Sequence, residues 1–128
     1  MGRLRPRPTD SELAILRILW ARGPSTVRQV HEALADTRDT GYTTTLKLMQ
    51  IMADKGLVTR DESSRTHIYA TLATEQQTQR QLVKDLVDRA FGGSAAALVL
   101  QALNAEGATP AELKEIRKLI DDYREKRS

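Results

Sequence analysis

The most informative part of the sequence is residues 41–58, which read GYTTTLKLMQIMADKGLV. This segment predicts a short helix that ends at Gly56 and leads directly into a β-strand, because glycine often follows the last turn of a helix. Apolar groups recur along it at the spacing of one helix face: the Thr45 methyl group, Leu48, Met49 and Met52. We expect this face to pack into a core.

The opposite face of the predicted helix favours contact with DNA. It carries hydroxyl, amide and ammonium groups and one leucine: Thr43, Thr44, Leu46, Lys47 and Gln50. Hydroxyl and ammonium groups bind phosphates, glutamine pairs with adenine, and leucine contacts the thymine methyl group. A solvated helix face can have the same composition, so the flanking segments have to distinguish the two interpretations.

Two capping boxes predict two helices upstream of this segment. Thr9 with Glu12 starts the first helix, and Thr26 with Gln29 starts the second. The backbone N–H groups at the start of the second helix, near Thr26 and Arg28, suit a phosphate group. With the helix that ends at Gly56, these two complete a three-helix arrangement.

A β-hairpin is predicted downstream. Strands over residues 57–61 and 66–71 are joined by a turn at residues 62–65. Three helices followed by a hairpin form a winged helix-turn-helix, in which the hairpin is the wing. Arg60 and Arg65 flank the wing tip, where a cation can meet a phosphate or the minor groove. The predicted fold is therefore mainly α with a small β-hairpin.

The distribution of charge favours a nucleic-acid partner for the first half of the chain. The 128 residues have a net charge of +3. Residues 1–73 carry 11 Lys/Arg and 8 Asp/Glu, whereas residues 74–128 carry 9 of each, so the excess lies with the predicted DNA-binding helix. We interpret residues 1–8, with three arginines and two prolines, as a flexible basic arm and residues 9–73 as the winged domain.

Residues 74–128 predict a three-helix dimerisation region. Helix starts are expected at Thr74, Ser94 and Thr109, and a loop over residues 104–108. About 55 residues are marginal as an independent domain, and the middle helix is apolar nearly all round. We therefore expect a homodimer; the alternative is a monomer whose helices fold back on the winged domain. The expected interface is apolar: Leu82, Leu86, Phe91, Leu98, Val99, Leu100, Leu103, Leu113, Ile116, Ile120 and Tyr123.

The sequence opposes several function classes. It contains no cysteine, which rules out disulfides, thiol catalysis and cysteine-based metal sites. The only two histidines, His31 and His67, lie on separate predicted elements, and no phosphate loop or metal-spaced carboxylate set occurs. No apolar run reaches the length of a membrane span, and the first residues lack a secretory signal. We predict a cytoplasmic protein that is not an enzyme and uses no metal, cofactor or membrane insertion.

Eight sequence segments, taken in order, match one known family. They are Glu12–Leu16, Leu19-Trp20, Thr26–Leu34, Tyr42–Thr45, Lys55–Val58, Arg65–Tyr69, Ala97–Leu100 and Glu112–Ile120. Over about residues 9–126 the chain resembles the penicillinase-repressor family (BlaI/MecI/CopY type). The resemblance implies a dimeric winged-helix repressor of a palindromic operator in double-stranded DNA. The expected DNA-binding set is then Thr26, Arg28, Tyr42, Thr43, Thr44, Leu46, Lys47, Gln50, Arg60 and Arg65.

The resemblance also implies a route of release. In the best-known members, a membrane sensor with a metalloprotease domain triggers cleavage of the dimerisation region at an Asn-Phe pair, and the dimer falls apart. The matching positions here are Gln101 and Ala102, which are therefore the candidate cleavage region; the implied partner is that sensor or the protease it activates. The copper-responsive branch carries Cys-x-Cys motifs that this chain lacks. Many members carry a basic residue where Ile51 stands.

Two other functions stay open. Some winged helices bind proteins instead of DNA, because a fold does not by itself determine function. The Thr/Lys/Gln face of the predicted helix is unlike the acidic or broadly apolar face that such a module would need. A ligand-sensing repressor is the other alternative, with a small molecule held in the apolar helical half, where no convergent polar groups mark a site.

Overall fold

The computed structural model describes residues 6–127, and most of the predicted basic arm (residues 1–8) lies outside them. The described residues form six helices and two strands: α1 (Asp10–Arg22), α2 (Val27–Ala35), α3 (Tyr42–Lys55), β1 (Val58–Asp61), β2 (Ile68–Thr71), α4 (Glu75–Ala90), α5 (Ala95–Glu106) and α6 (Pro110–Arg127). The chain divides into two compact units, Met1–Leu82 and Val83–Ser128. The division falls within α4.

The first unit packs α1, α2, α3 and the hairpin around one apolar core. Each of these three helices and β2 contributes at least one side chain that is almost fully buried: Ile15, Val30, Met49, Met52 and Tyr69. Burying a side chain of this size stabilises the fold by roughly 1.5–3 kcal/mol. The predicted core face of α3 is confirmed, since Thr45 is also buried and Leu48 packs against the same core.

Side chains close the helix ends as the sequence predicts. Thr9 and Thr26 each form a complete capping box, which satisfies N–H groups that a helix start leaves free. Thr74 makes the same kind of bond before α4. Gly56 ends α3 in the left-handed conformation, with φ of +85°, where a side chain would strain the backbone. This turn leads the chain from α3 directly into the wing.

The wing consists of β1, β2 and the loop between them. The two strands pair antiparallel, but each is shorter than predicted, and the loop covers residues 62–67 instead of 62–65. Local bonds explain part of the difference, because Asp61 Oδ1 accepts a hydrogen bond of 2.9 Å from the Ser63 backbone N–H. A side chain that bonds the nearby backbone competes with the strand ladder. His67 therefore precedes β2 instead of lying in it.

Two longer-range contacts, which the sequence did not reveal, hold the wing against the helices. Ser25 and Tyr69 exchange backbone hydrogen bonds of 3.0 and 2.8 Å and form a short bridge beside β2. The indole N–H of Trp20 donates a 3.0 Å hydrogen bond to the Ala73 carbonyl group just after the hairpin. The start of α2 and the end of α1 are thus both tied to the wing.

The second unit contains the end of α4 with α5 and α6. Helix α4 ends at Ala90, shortly before Gly92 and Gly93, and the predicted cap of α5 by Ser94 is confirmed. The predicted loop over residues 104–108 is partly wrong, because α5 continues to Glu106 through residues compatible with a helix and ends only at Gly107. Within residues 6–127 no single helix is long and apolar enough to cross a membrane; only α4 and α5, counted together across a sharp bend, pass that test.

Candidate nucleic-acid interface

Helix α3 presents a polar face to solvent. Thr43, Thr44, Lys47 and Gln50 are all exposed, in agreement with the prediction. Three of them, Thr43, Lys47 and Gln50, follow one another at spacings of four and three residues, so they lie along one side of the helix. Leu46 is half-buried and packs against the core, so only part of its side chain is available to a partner.

An open depression of about 530 Å³ lies between α2, α3 and the wing. Seven of the ten predicted DNA-contacting residues line it: Thr26, Arg28, Tyr42, Leu46, Gln50, Arg60 and Arg65. The other three, Thr43, Thr44 and Lys47, are exposed on α3 but do not line it. No carboxylate is among its lining residues, although Glu62 pairs with one of the three arginines that line it, Arg60. Such an arrangement attracts an anionic partner.

Tyr42 contacts two residues of α2, Arg28 and His31, at the edge of the depression. The guanidinium carbon of Arg28 lies 5.4 Å from the centroid of the Tyr42 ring, which is a cation–π distance. The His31 ring meets the same tyrosine edge-on, with ring centroids 5.7 Å apart. Tyr42 thereby holds Arg28 at the N-terminal turn of α2, where the helix dipole also favours an anion.

The two wing arginines differ in their surroundings. Arg60 Nε lies 3.3 Å from Glu62 Oε1. The Tyr69 hydroxyl group and the charge of Glu62 raise the pKa of Arg60. The Glu62 oxygen lies 4.0 Å from His67 Nδ1. Among residues 6–127 no ion pair involves Arg65. Of the two arginines, only Arg60 therefore has a carboxylate partner within the described residues.

Two residues near the depression, Glu62 and His67, are not among the predicted DNA-binding residues. The sequence places Glu62 in the turn, but it pairs with Arg60, because residues two apart in an extended chain lie on one side of it. The sequence places His67 in a strand, but it lines the depression. Within the described range, no group of three or more His, Asp or Glu residues could hold a metal ion.

Comparison with known families agrees with this geometry. The family profile described as "Penicillinase repressor" matches residues 8–122, which is most of the chain. The chain belongs to the penicillinase repressor family. The resemblance drawn from the sequence is thereby confirmed, and the members of this family are transcriptional repressors and not enzymes.

Individual relatives agree with the assignment. The transcriptional regulator BlaI of Mycobacterium tuberculosis (strain H37Rv) is 37% identical over 105 residues, which cover 80% of this chain and 76% of the relative. The methicillin resistance regulatory protein MecI of Mammaliicoccus sciuri is 20% identical over 113 residues, which cover 88% of this chain and 92% of the relative.

Solved structures show the same fold. The DNA-binding domain of the repressor BlaI aligns with a TM-score of 0.51 and 19% identity, over 58% of this chain and 90% of that one. The monomeric form of Bacillus licheniformis BlaI, solved in complex with the blaP half-operator, aligns with the same TM-score and identity, over 59% and 92%. At this level of identity the likeness concerns the fold, and it confirms the predicted winged helix-turn-helix.

Proposed function

We propose that this chain is a homodimeric transcriptional repressor that binds a palindromic operator in double-stranded DNA. The observation that carries the proposal is the depression, without a carboxylate in its lining, in which Arg28, Gln50 and Arg65 come together beside the polar face of α3. The relatives are consistent with it, because a BlaI protein was solved in complex with a half-operator. A repressor of this kind blocks transcription by occupying DNA near a promoter.

In this proposal α3 lies in the major groove of each half-site. Gln50 reads a base edge, with adenine as its usual partner, and the exposed part of Leu46 contacts a base. The remaining members of the DNA-binding set position the protein on phosphates or base edges: Thr26, Arg28, Tyr42, Thr43, Thr44, Lys47, Arg60 and Arg65. Two-fold symmetry then requires half-sites about 34–36 Å apart, or a multiple of that distance.

The second unit supplies the dimer interface in this proposal. Neither α5 nor α6 buries any residue, and eight large apolar side chains of this unit are exposed: Val83, Leu86, Val99, Leu100, Leu113, Leu119, Ile120 and Tyr123. Six of these eight belong to the predicted dimer set; its other members, Leu82, Phe91, Leu98, Leu103 and Ile116, are half-buried. Exposed apolar surface of this extent favours a partner, and a second copy of the chain can bury it.

Dimerisation also gives the repressor a means of release. One half-site binds weakly, whereas two tethered domains raise the affinity by about 10²–10⁴. Weakening or cutting the dimerisation region therefore frees the DNA. Gln101 and Ala102 are exposed but lie inside α5, so cleavage between them requires local opening of the helix, because proteases act on flexible backbone. We assign this step to a membrane sensor metalloprotease or the protease it activates, with the repressor itself in the cytoplasm and without cofactor.

The first test measures binding to the DNA upstream of the chain's own gene over a series of salt concentrations. A footprinted palindrome occupied by two chains, with a log–log salt slope of roughly −5 to −10, is the expected result. Lys47→Ala and Arg65→Ala should weaken binding to every sequence, whereas Gln50→Ala should change the preferred base.

Two results would contradict the proposal. A monomer at tens of micromolar in sedimentation would contradict the proposed dimer. Weak binding to a randomised duplex pool, with no preference for sequence, would contradict binding to a specific operator. In the second case a protein partner for the winged unit becomes the better interpretation.

A further inference from the structure

One apolar side chain of α3 is not used by the core. Met49 and Met52 are fully buried, and Leu46 and Leu48 pack against the core. Ile51 instead remains 38% exposed. It follows Lys47 by four residues and Thr44 by seven, so it shares their side of the helix. The rise of an α-helix places it about 6 Å along the axis from Lys47.

Neither folding nor helix formation requires an isoleucine at this position. Isoleucine is a weaker helix former than lysine, glutamine or glutamate, any of which would be solvated there. Its branching at Cβ restricts the first side-chain torsion in a helix, so the exposed methyl groups have a nearly fixed direction. A rigid apolar group therefore stands among hydroxyl, amide and ammonium groups on the face that the proposed function directs into the major groove.

The major groove offers one apolar group, the C5-methyl group of thymine. We propose that Ile51 is a specificity-determining residue that contacts a thymine methyl group in each half-site. This inference rests on the proposed function and adds a chemical preference to it. Ile51 selects thymine over cytosine or uracil by methyl contact, beside the hydrogen bonds of Gln50 and the charge of Lys47.

The test uses uracil, which pairs like thymine but lacks the methyl group. The preferred operator is first selected from a randomised duplex pool with the full chain, and each thymine is then replaced by uracil at symmetric positions. One substitution should weaken wild-type binding about three- to fivefold per half-site, the effect of one methyl contact. Ile51→Ala should lower the affinity for the thymine operator to the wild-type value for that uracil operator, and should show no further loss with uracil.

Controls separate this contact from general binding. Lys47→Ala should lower the affinity for both operators equally, and Ile51→Val should keep part of the discrimination. Because Ile51 is outside the core, its variants should keep the wild-type circular dichroism spectrum and unfolding midpoint. Wild-type binding that ignores uracil at every position, or full discrimination by Ile51→Ala, would overturn the inference while leaving sequence-specific binding intact. Selection that yields no preferred sequence would overturn the proposed function as well.

Discussion

The ammonium nitrogen of Lys55 lies 2.6 Å from a carboxylate oxygen of Glu12. This salt bridge joins the last residue of α3 to the first turn of α1. Glu12 is only 2% exposed, and the same oxygen accepts the Thr9 backbone N–H at 2.9 Å. One carboxylate therefore caps α1 and also anchors the end of the helix whose polar face is proposed to contact DNA.

Replacing Glu12 with glutamine separates these two roles. The amide oxygen of Glu12→Gln can still accept the Thr9 N–H, whereas the charge that pairs with Lys55 is lost. We expect the free energy of unfolding to fall by about 1.5–2 kcal/mol, within the range for a hydrogen bond to a charged group. Urea unfolding measures the change. The matched control is Asp88→Asn, which breaks the exposed Lys84–Asp88 pair and should lower the free energy of unfolding much less, because solvent screens that pair.

The same carboxylate should make stability depend on pH. Burial alone would raise the pKa of Glu12, but hydrogen bonds from Lys55 and Thr9, with the charge of Lys55, bring it below its ordinary value of 4.5. Because the folded pKa is the lower one, the stabilisation is present above about pH 4.5 and is lost as the pH falls through the folded value. Urea midpoints across this window should fall more steeply for wild type than for Glu12→Gln. Parallel curves would show that Glu12 does not couple protonation to folding.

The Tyr42 ring should matter more for DNA binding than its hydroxyl group. Tyr42→Phe keeps the ring under Arg28, so its affinity for operator DNA should stay close to wild type. Tyr42→Leu removes the cation–π contact and lets Arg28 move, and we expect a loss of roughly two- to fivefold, the equivalent of 0.5–1 kcal/mol. Fluorescence anisotropy with a labelled operator measures both variants. Equal losses for the two would assign the effect to the hydroxyl group instead.

Glu62 should weaken the binding of DNA by the wing. It neutralises Arg60 and would repel a phosphate, so Glu62→Gln should strengthen DNA binding and make the log–log salt slope steeper by about one unit. The control is Glu106→Gln, which makes the same change of net charge in the second unit. In an Arg60→Gln background the gain from Glu62→Gln should shrink, because the two charges are coupled. A gain that is unchanged in that background would show only a general effect of charge.

Much of the fold was predictable because its signals are local. The capping boxes at Thr9 and Thr26, the glycine that ends α3 and the apolar spacing of α3 all act within one or two helical turns. The residues of the candidate site could be chosen from their types alone, because cations, hydroxyl groups and an amide are the groups that contact DNA. Seven of the ten chosen residues line one depression.

The features that sequence reasoning missed are non-local or depend on competition between local bonds. The Glu12–Lys55 pair joins residues 43 positions apart, and the Ser25–Tyr69 bridge also depends on how the helices pack. The wing loop is longer than expected because side-chain bonds such as that between Ser63 and Asp61 replace strand pairing. The partial burial of Leu46 and the exposure of Ile51 likewise could not be inferred from the spacing of apolar residues along the helix. Neighbouring elements decide which edge of a helix is covered.

Leu100 is 56% exposed on α5, and a charge at a buried dimer interface would be strongly unfavourable. Leu100→Glu should therefore convert the dimer into a monomer in sedimentation equilibrium and lower the affinity for the full palindrome by about 10²–10⁴. Its affinity for an isolated half-site should stay at the wild-type value, because the winged unit has its own core.

The matched control is Leu72→Glu, where a leucine of nearly equal exposure (57%) lies in the first unit; that variant should remain a dimer. A dimeric Leu100→Glu, or a loss of half-site binding equal to the loss on the palindrome, would show that α5 does not form the dimer contact.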